Sequence, residues 1–274
     1  MNSEGTSAVS VYIIAFNEAE KIRAAVESVR WADEVVVADS RSTDGTAEIA
    51  ESLGVRVVQI PFRGFGDLRN RAMEACRHRW IFSLDADERC TPEARDEIRR
   101  ILRNDGPEDA YYVPRKNFFM GRWIRHSGFY PDYRQPQLFR KGTLSFEDDP
   151  VHEAYAVHSE RIGYLAAPIV QIPFRNFEEM VRKANRYSTL GAEKLARQGR
   201  TAGMGTALGH AIWAFFAHYL LKLGFLDGWA GLAIALGNFE GTFYKYAKLH
   251  ERHAGWTLPW EESEDRGFRD GTAA

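Results

Sequence analysis

Two aspartates one residue apart follow a short apolar segment in the first half of the chain. Residues 81–84 (IFSL) lead directly into Asp85 and Asp87. Carboxylates are costly to bury without a partner, so two of them at a strand end predict a positive group beside them. Such oxygen ligands suit Mg²⁺ or Mn²⁺, which proteins hold through one or two carboxylates and substrate phosphates. The pattern predicts a metal that neutralises a phosphate leaving group, although an Asp-x-Asp alone is also typical of a turn.

Polar groups also follow two other apolar segments. The first segment ends at Asn17 and Glu18, and the second ends at Asp39 and the loop Ser40–Thr46 (SRSTDGT). Because ligands of open α/β sheets bind outside the carboxyl ends of the strands, we expect these groups and the two aspartates on one rim. Glu18 also fits a first-turn residue that the helix dipole stabilises. The chain has no GxxxxGK[ST] motif and no GxGxxG after the first strand, which favours metal-assisted phosphate binding.

The elements that must position these side chains alternate between strand and helix. Apolar segments predict strands at 9–15, 34–38, 55–60 and 80–84. Periodic segments predict helices at 17–31, 46–53, 67–76 and 92–102, the first with a capping box between Asn17 and Glu20. This alternation predicts an α/β fold with a mostly parallel sheet that is covered on both faces.

The remainder of the chain departs from this alternation. Short strands are predicted at 111–115, 137–140, 144–146, 155–158 and 163–165, around an irregular aromatic-rich segment at 116–136. Apolar residues at helical spacing predict a helix across 177–195. Residues 201–221 contain no Asp, Glu, Lys or Arg, and a second apolar stretch follows them. The last third is therefore expected to be an apolar helical extension.

Three structures fit this apolar extension. A helix over residues 204–221 would be about 27 Å long, close to the ~30 Å thickness of a bilayer's hydrocarbon. A buried hairpin, a monotopic hairpin lying in the membrane interface and two membrane spans are all open, and several glycines weaken the spans. Aromatic residues such as Trp213 and Trp229, and lysines such as Lys222 and Lys245, favour the monotopic or peripheral form.

The composition and the N-terminal sequence limit which partners and which cellular compartment are expected. The 36 basic and 38 acidic residues give a net charge of −2, so no nucleic-acid partner is expected. Two cysteines without a metal or disulfide pattern suit a reducing compartment, and the N-terminal MNSEGTSA has no signal-peptide pattern. We expect a cytoplasmic protein, peripheral or monotopic at the cytoplasmic face of the inner membrane.

Motifs along the chain resemble one enzyme family. In order they are AFNEAEKI, ADSRSTDGT, LRNRA and SLDADE, followed by PQLFRKG, DDPVHE, RYSTLGAEKLARQG and GFLDGWAGL. The first four resemble the inverting family 2 glycosyltransferases of GT-A (Rossmann-like) fold, whose second motif is usually closer to VDDGSTDGT. The last four resemble the bacterial lipopolysaccharide inner-core β-glucosyltransferases. The resemblance implies a GT-A domain at 1–170, with a nucleotide-sugar half at 1–105 and an acceptor half at 106–170. A helical, membrane-associating region would follow at 171–274.

The resemblance also implies roles for the strand-end residues. Nucleotide-sugar contacts fall on Asn17, Glu18, Asp39, Arg69 and Asp85, and the principal metal ligand on Asp87. Asp39 would bind the base, and Asp85 would contact the ribose or the metal. Arg69 would approach the nucleotide or its diphosphate, although Arg71 competes for that role and a solvated helix face also fits.

An inverting transfer needs a carboxylate base that faces the donor, because the acceptor hydroxyl attacks in line as the diphosphate leaves. The candidates are Asp148, Asp149 and Glu153. The resemblance places Glu153 at the base position, and Asp149 ranks second. His152 is a candidate metal ligand, diphosphate contact or orienting group, and a strand cap is the simpler alternative.

Aromatic and basic residues near 117–134 suit an acceptor. Aromatic faces stack on sugars, and arginines pair with anionic groups. Trp123, His126 and Arg134 are the acceptor-binding candidates, while a loop that packs on its own aromatics is the alternative.

The resulting expectation is a metal-dependent hexosyltransferase that moves glucose from UDP-glucose to a lipopolysaccharide core sugar. Its partners would be a nucleotide-sugar donor, a lipid-linked saccharide acceptor and a membrane surface. Transfer to polyprenyl phosphate, or a non-catalytic nucleotide-sugar-binding scaffold, are the alternatives.

Overall fold

The computed structural model describes residues 6–147 and 154–256. The strands are β1 (Val9–Ala15), β2 (Glu34–Asp39), β3 (Arg56–Gln59), β4 (Trp80–Asp85), β5 (Glu88–Arg89), β6 (Ala110–Tyr112), β7 (Arg115–Phe119), β8 (Arg122–Trp123), β9 (Pro136–Arg140), β10 (Leu144–Phe146), β11 (Tyr155–Val157), β12 (Ile162–Tyr164) and β13 (Ile169–Gln171). The helices are α1 (Ala19–Ser28), α2 (Thr46–Ser52), α3 (Phe65–Ala75), α4 (Pro92–Arg103), α5 (Phe177–Arg197), α6 (Met204–Phe216) and α7 (Gly228–Ala254).

A seven-stranded sheet in the order β12-β6-β9-β4-β1-β2-β3 lies at the centre of the described residues before α5. The neighbours β3, β2, β1 and β4 are parallel, and β9 is antiparallel to β4 and β6. Ala15 of β1 lies opposite Asp39 of β2, and Ile14 lies opposite Asp85 of β4. The ends of these three strands meet at one rim, and the predicted α/β fold with a mostly parallel sheet is confirmed.

The side chains of β1 alternate between two buried cores, one on each face of the sheet. Val11 and Ile13 belong to the core that includes residues of α1 and α4. Tyr12 and Ile14 belong to the core that includes residues of α3. Burial on both faces explains the continuous apolar strands of the sequence, because neither face of a covered parallel sheet meets water.

The predicted capping box at the start of α1 is wrong. The helix begins at Ala19 and has no side-chain cap. Asn17 adopts a left-handed backbone with φ of 55°, and its Oδ1 accepts a hydrogen bond from the Thr43 amide at 2.9 Å. A carboxylate oxygen of Asp44 accepts from the Ala19 amide at 3.0 Å. The loop after β2 therefore satisfies the start of α1, which local sequence spacing does not reveal.

The segment predicted to be irregular at 116–136 contains regular structure. β7 and β8 form an antiparallel hairpin within it, and β13 pairs with β7 in parallel and with β5 antiparallel. These strands are only two to five residues long, and β13 meets its partners across a long sequence separation. Such short strands lack the periodicity on which a local prediction depends.

Three long helices follow the sheet. α5 and α7 pack closely, with Met180 on Gly237 and Ala184 near Gly241. A π-helical turn at Ala217–Leu221 and a 3₁₀ turn at Gly224–Asp227 separate α6 from α7. Among the described residues, no single helix meets the length and hydropathy needed to cross a membrane, whereas Met204–Leu221 and Gly224–Ala254 meet them as a pair bent by 69°.

Candidate functional site

The carboxyl ends of β2, β1 and β4 form the floor of a cleft. Asp39 and Asp85 lie on either side of β1, so about 10 Å separates them at the usual strand spacing. Glu18 lies between the two strands' ends, where β1 leads into α1, and lines the cleft with Asp85 and Asp87. Burial raises the pKa of the Glu18 carboxyl, although the Lys21 ammonium lies 3.1 Å away. The cleft therefore concentrates acidic groups at one edge of the sheet.

Hydrogen bonds tie the loop after β2 to the loop after β1. Asp39 is fully buried, and its two oxygens accept from the amide and the hydroxyl of Ser42. The Ser42 Oγ in turn accepts from the Asn17 amide at 2.8 Å, and the Thr46 Oγ1 accepts from the Glu18 amide at 2.8 Å. The structure thus gives Asp39 and Asn17 a loop-organising role, while their contacts to a nucleotide stay predictions.

Arg69 approaches Asp85 from α3. Its Nη2 lies 3.0 Å from Asp85 Oδ1, and the Arg69 side chain is almost fully buried. Burial opposes ionisation of Asp85, but the guanidinium groups of Arg69, Arg115 and Arg134 outweigh it and lower the pKa of this carboxyl. The competing candidate Arg71 faces outward and lies 3.7 Å from Asp67 on its own helix. Arg69 is therefore the arginine that the fold directs into the cleft.

A buried charge network beneath Asp85 was missed by the sequence reasoning. Glu88 has no exposed surface and accepts a 2.6 Å hydrogen bond from Arg115 Nε. Its other oxygen accepts from Gln137 Nε2 and from the Asp85 amide, each at 3.0 Å. Because a side chain three residues on holds the Asp85 backbone, the turn through Ala86 is fixed in one conformation. The signal was present as the Glu88 that ends SLDADE, but its arginine partner lies 27 residues away.

The residues at this rim fit a divalent cation. Asp85 Oδ1 is a buried oxygen that lies 3.0 Å from Arg69 Nη2 but accepts no hydrogen bond with good geometry in the described part of the chain. Asp87 is close in sequence and lines the same cleft. No group of three or more His, Cys, Asp or Glu side chains within residues 6–147 and 154–256 could enclose a metal. Two carboxylates nevertheless suffice for Mg²⁺ when substrate phosphates and water complete its shell.

Asp87 already has partners from the C-terminal side of the chain. Its Oδ1 accepts from Gln171 Nε2 at 3.1 Å, and the Lys183 ammonium of α5 lies 3.6 Å from its Oδ2. Lys183 also donates to the Pro173 carbonyl at 2.7 Å. A divalent cation at Asp87 would therefore share this carboxylate with an ammonium group that is itself suited to a phosphate.

Helix α5 forms a wall of the cleft, which the sequence reasoning also missed. Lys183 and Tyr187 line two adjoining spaces, of about 230 Å³ and 530 Å³, together with Asp85 and Asp87. Arg186 lines the first of them. The basic residues of this helix matched a solvated polar face, and only the folded chain shows that part of that face meets the strand ends.

A buried ion pair anchors α5 to the sheet domain. Lys21 of α1 lies 2.5 Å from Glu179 Oε1, and both side chains are at most 9% exposed. Glu179 also accepts from the Arg175 amide at 2.9 Å. Burial opposes its ionisation, but the Lys21 ammonium and these hydrogen bonds lower the pKa of Glu179 to about 2. The pair fixes the first turns of α5 over the cleft.

The three acceptor candidates are in different surroundings. Arg134 lines the larger cleft with Asp85 and Asp87. Trp123 contacts the ring of Tyr130 and lies against Arg125, and His126 Nδ1 lies 3.1 Å from Asp227 Oδ1. Only Arg134 is thus brought to the acidic rim, and acceptor binding by Trp123 and His126 stays a prediction.

Four predicted residues of the DDPVHE segment lie outside the described residues. They are the base candidates Asp148, Asp149 and Glu153 and the metal-ligand candidate His152. Their roles stay predictions.

Comparison with known proteins identifies the family. The profile described as Glycosyl transferase family 2 matches residues 10–157. A protein named as an uncharacterized glycosyltransferase of Rickettsia bellii is 31% identical over 256 residues, covering 90% of this chain and 87% of the relative. The lipopolysaccharide core biosynthesis glycosyltransferase LpsC of Rhizobium meliloti is 28% identical over 267 residues, which cover 90% of this chain and 93% of LpsC.

A solved structure is similar to part of this chain. It is glucosyl-3-phosphoglycerate synthase from Mycobacterium tuberculosis in complex with Mn²⁺, UDP and phosphoglyceric acid, at 26% identity and a TM-score of 0.34. The match covers 42% of this chain and 44% of that one. The family profile covers more than half of the 274 residues, and the Rickettsia relative exceeds 30% identity over most of both chains. The chain therefore belongs to glycosyl transferase family 2 and is a glycosyltransferase of GT-A fold.

Proposed function

We propose that this glycosyltransferase is metal-dependent and inverting, and that it moves glucose from UDP-glucose to a saccharide of the lipopolysaccharide core. The observation that carries the proposal is the cleft in which Asp85 and Asp87 face Arg69 and Lys183. Two carboxylates beside two cations match a diphosphate that arrives with a divalent metal. The likeness to LpsC supports a core saccharide as acceptor.

Asp85 and Asp87 would hold Mg²⁺ or Mn²⁺ through carboxylate oxygens, with His152 as a further candidate ligand. When bound, such a metal supplies positive charge to the diphosphate leaving group. Arg69 and Lys183 add fixed charge beside it, so the negative charge that develops as the bond breaks meets groups already in place. Glu18, Asn17 and Asp39 would shape the nucleotide side of the cleft.

Glu153 would take the proton from the acceptor hydroxyl, with Asp149 as the second candidate. The acceptor oxygen then forms a bond to the anomeric carbon on the face opposite the diphosphate. The bond from that carbon to the diphosphate oxygen breaks, and UDP leaves with its electron pair. The product glycoside has the opposite anomeric configuration. Arg134, which lines the cleft, is suited to orient an anionic acceptor.

The exposed apolar surface of the helical region supports a peripheral position at the cytoplasmic face of the inner membrane. Its exposed large side chains include Leu208, Ile212, Trp213, Phe216, Leu220, Leu221, Leu223, Phe225, Leu226 and Trp229. Trp213 is 59% exposed and Trp229 is 78% exposed. Exposed apolar surface of this extent is typical of membrane or protein contact, and the aromatic residues suit a lipid interface.

The test is transfer by the purified full chain from UDP-glucose to isolated lipopolysaccharide core oligosaccharide, with Mg²⁺, Mn²⁺ or EDTA. We expect metal-dependent UDP release and a hexose adduct in the mass spectrum. Asp87→Asn and Glu153→Gln should each lower turnover about 100-fold or more. The exposed Asp96, which pairs with Arg95 on α4, provides a matched control in Asp96→Asn.

Two results would contradict the proposal. Full turnover of Asp87→Asn in EDTA would remove the metal role. If the enzyme transferred the hexose to polyprenyl phosphate and not to the core oligosaccharide, the proposed acceptor would be wrong. The proposed donor chemistry would still hold.

A further inference from the structure

A further cavity, apart from the two spaces of the cleft, lies between α5, α7 and the loop after β8. Its volume is about 400 Å³, within the range of small-ligand sites. Its apolar lining includes Phe129, Phe174, Met180, Ala184, Ile234, Gly237 and Gly241, and its basic lining comprises Lys183, Lys222, Lys245 and His218. We call this cavity the lysine pocket. An apolar floor with ammonium groups around it matches a ligand that is anionic at one end and apolar at the other.

Two lysine stems reach the pocket by passing over glycines. A Cβ at Gly128 would lie 2.9 Å from Lys222 Cδ, and a Cβ at Gly191 would lie 2.8 Å from Lys245 Cδ. Gly128 also has a φ of 80°, which disfavours other residues. The Ser127 amide donates to the Lys222 carbonyl at 2.8 Å, so the backbone beside the lysine is held as well. Both lysine stems therefore lie directly against a glycine at the edge of the pocket.

These two lysines have no carboxylate partner among the described residues, whereas many other basic side chains there do. Within the described residues, the Lys222 ammonium lies 3.2 Å from His218 Nε2, and the Lys245 ammonium lies 4.8 Å from the centre of the Tyr246 ring. No ion pair joins either lysine to a described carboxylate. Burial lowers the pKa of Lys245, and no carboxylate of the described residues offsets this effect. A ligand anion would supply the missing partner.

Small residues keep the floor of the pocket open. A Cβ at Gly237 would meet Met180 at 3.5 Å, and a Cβ at Gly241 would meet the Ala184 Cβ at 3.8 Å, both ordinary contact distances. A methyl group at either position would therefore touch α5 without a clash. Their missing side chains leave space beside Ile234, which suits an apolar part of a ligand.

The lysine pocket adjoins the donor cleft, because Lys183 and Tyr187 line both spaces. We propose that the lysine pocket binds a phosphate-bearing amphiphile, with its phosphate at Lys222 and Lys245 and its apolar part along Gly237 and Gly241. This inference rests on the proposed function, since the amphiphile would be the anchor of the acceptor saccharide. Bound there, it would present the acceptor hydroxyl toward the cleft of Asp85 and Asp87.

The direct test is calorimetric titration of the full chain with dihexanoyl phosphatidic acid below its micelle concentration. Inorganic phosphate and dihexanoyl phosphatidylcholine are titrated in parallel. We expect phosphatidic acid to bind at least 10-fold more tightly than either. Equal binding of inorganic phosphate would overturn the amphiphile assignment, and equal binding of phosphatidylcholine would overturn the anionic one.

Variants locate the binding in the pocket. Lys222→Met and Lys245→Met should each weaken phosphatidic acid binding at least 10-fold, and Gly241→Leu should abolish it by filling the floor. Lys194→Met on α5, outside the pocket lining, is the matched control and should bind as the wild type does. Unchanged binding in Lys222→Met and Lys245→Met would overturn the proposal even if Gly241→Leu failed to fold.

A separate readout distinguishes this proposal from the proposed function. Hydrolysis of UDP-glucose without acceptor should be the same in Lys245→Met and the wild type, since Lys245 does not line the donor cleft. Wild-type hydrolysis with lost phosphatidic acid binding supports the lysine pocket. Absent UDP release in the wild type even with core oligosaccharide present, with intact phosphatidic acid binding, would refute the donor chemistry and leave the pocket standing.

Discussion

The acidic rim of the sheet and the lysine pocket of the helices differ in how their charged groups are paired. At the rim, Asp85 faces Arg69 and Glu88 faces Arg115, so the charges are largely balanced inside the protein. In the pocket, Lys222 and Lys245 meet a histidine and an aromatic ring rather than carboxylates. The rim is therefore organised before any ligand arrives, whereas the pocket gains its counter-charge from the ligand.

Helix α5 joins the two regions. Glu179 pairs with Lys21 of α1, Lys183 approaches Asp87, and Gly191 lies against the Lys245 stem. One helix thus sets the distance between the rim and the pocket. A change that loosens α5 should affect both, whereas a change within one region should leave the other intact.

The largest effect is expected at the buried pair beneath the rim. Arg115→Met leaves the Glu88 charge buried without its 2.6 Å partner. We expect the free energy of unfolding to fall by about 3–5 kcal/mol, measured by urea denaturation. The double variant Glu88→Gln with Arg115→Met should recover part of this loss, because neither member of this pair then carries a charge. A loss below about 1 kcal/mol in the single variant would mean that the network does not hold the rim.

A smaller effect is expected where α5 meets the rim. Lys183→Met removes the ammonium group that lines both spaces, and we expect the KM for UDP-glucose to rise about 10- to 100-fold. Lys194→Met, further along the same helix, is the control. An unchanged KM would show that α5 only covers the cleft and does not bind the donor.

The smallest effect concerns the anchor of α5 and depends on pH. The ordinary pKa of Glu179 is 4.5, and in the folded protein it falls to about 2. The stabilisation is therefore complete above about pH 4.5 and is lost as the pH falls toward 2. We expect Glu179→Gln to lower the free energy of unfolding by about 1–2 kcal/mol at pH 6. The variant should also lose the decrease in stability that titration of Glu179 causes between about pH 4.5 and pH 2. Parallel wild-type and variant stability curves between pH 6 and pH 2.5 would contradict the role of the pair.

Local sequence patterns predicted the parts of the fold that depend on residues close together in the sequence. The continuous apolar strands and the convergence of β1, β2 and β4 follow from local periodicity and from the alternation of strands and helices. The short strands β7, β8 and β13 do not, because two to five residues carry little periodic signal. Their pairing depends on partners far along the chain.

The candidate site divides in the same way. Asp85 and Asp87 could be found from their place at the end of β4, since a strand end has a known position in the sheet. Lys183 and Lys245 could not, because their role depends on how α5 packs over the rim and on where glycines admit a side chain. Helical periodicity alone assigns a lysine to a polar face without showing what that face meets.

The central claim is that the rim binds a nucleotide diphosphate through a metal held by Asp85 and Asp87. Its most direct measurement is the thermal stabilisation of the full chain by UDP, with Mn²⁺ and with EDTA. We predict a concentration-dependent rise in Tm with UDP and Mn²⁺ together, and its loss both in EDTA and in the Asp85→Asn and Asp87→Asn variants. An equal rise in EDTA, or in both variants, would contradict the claim.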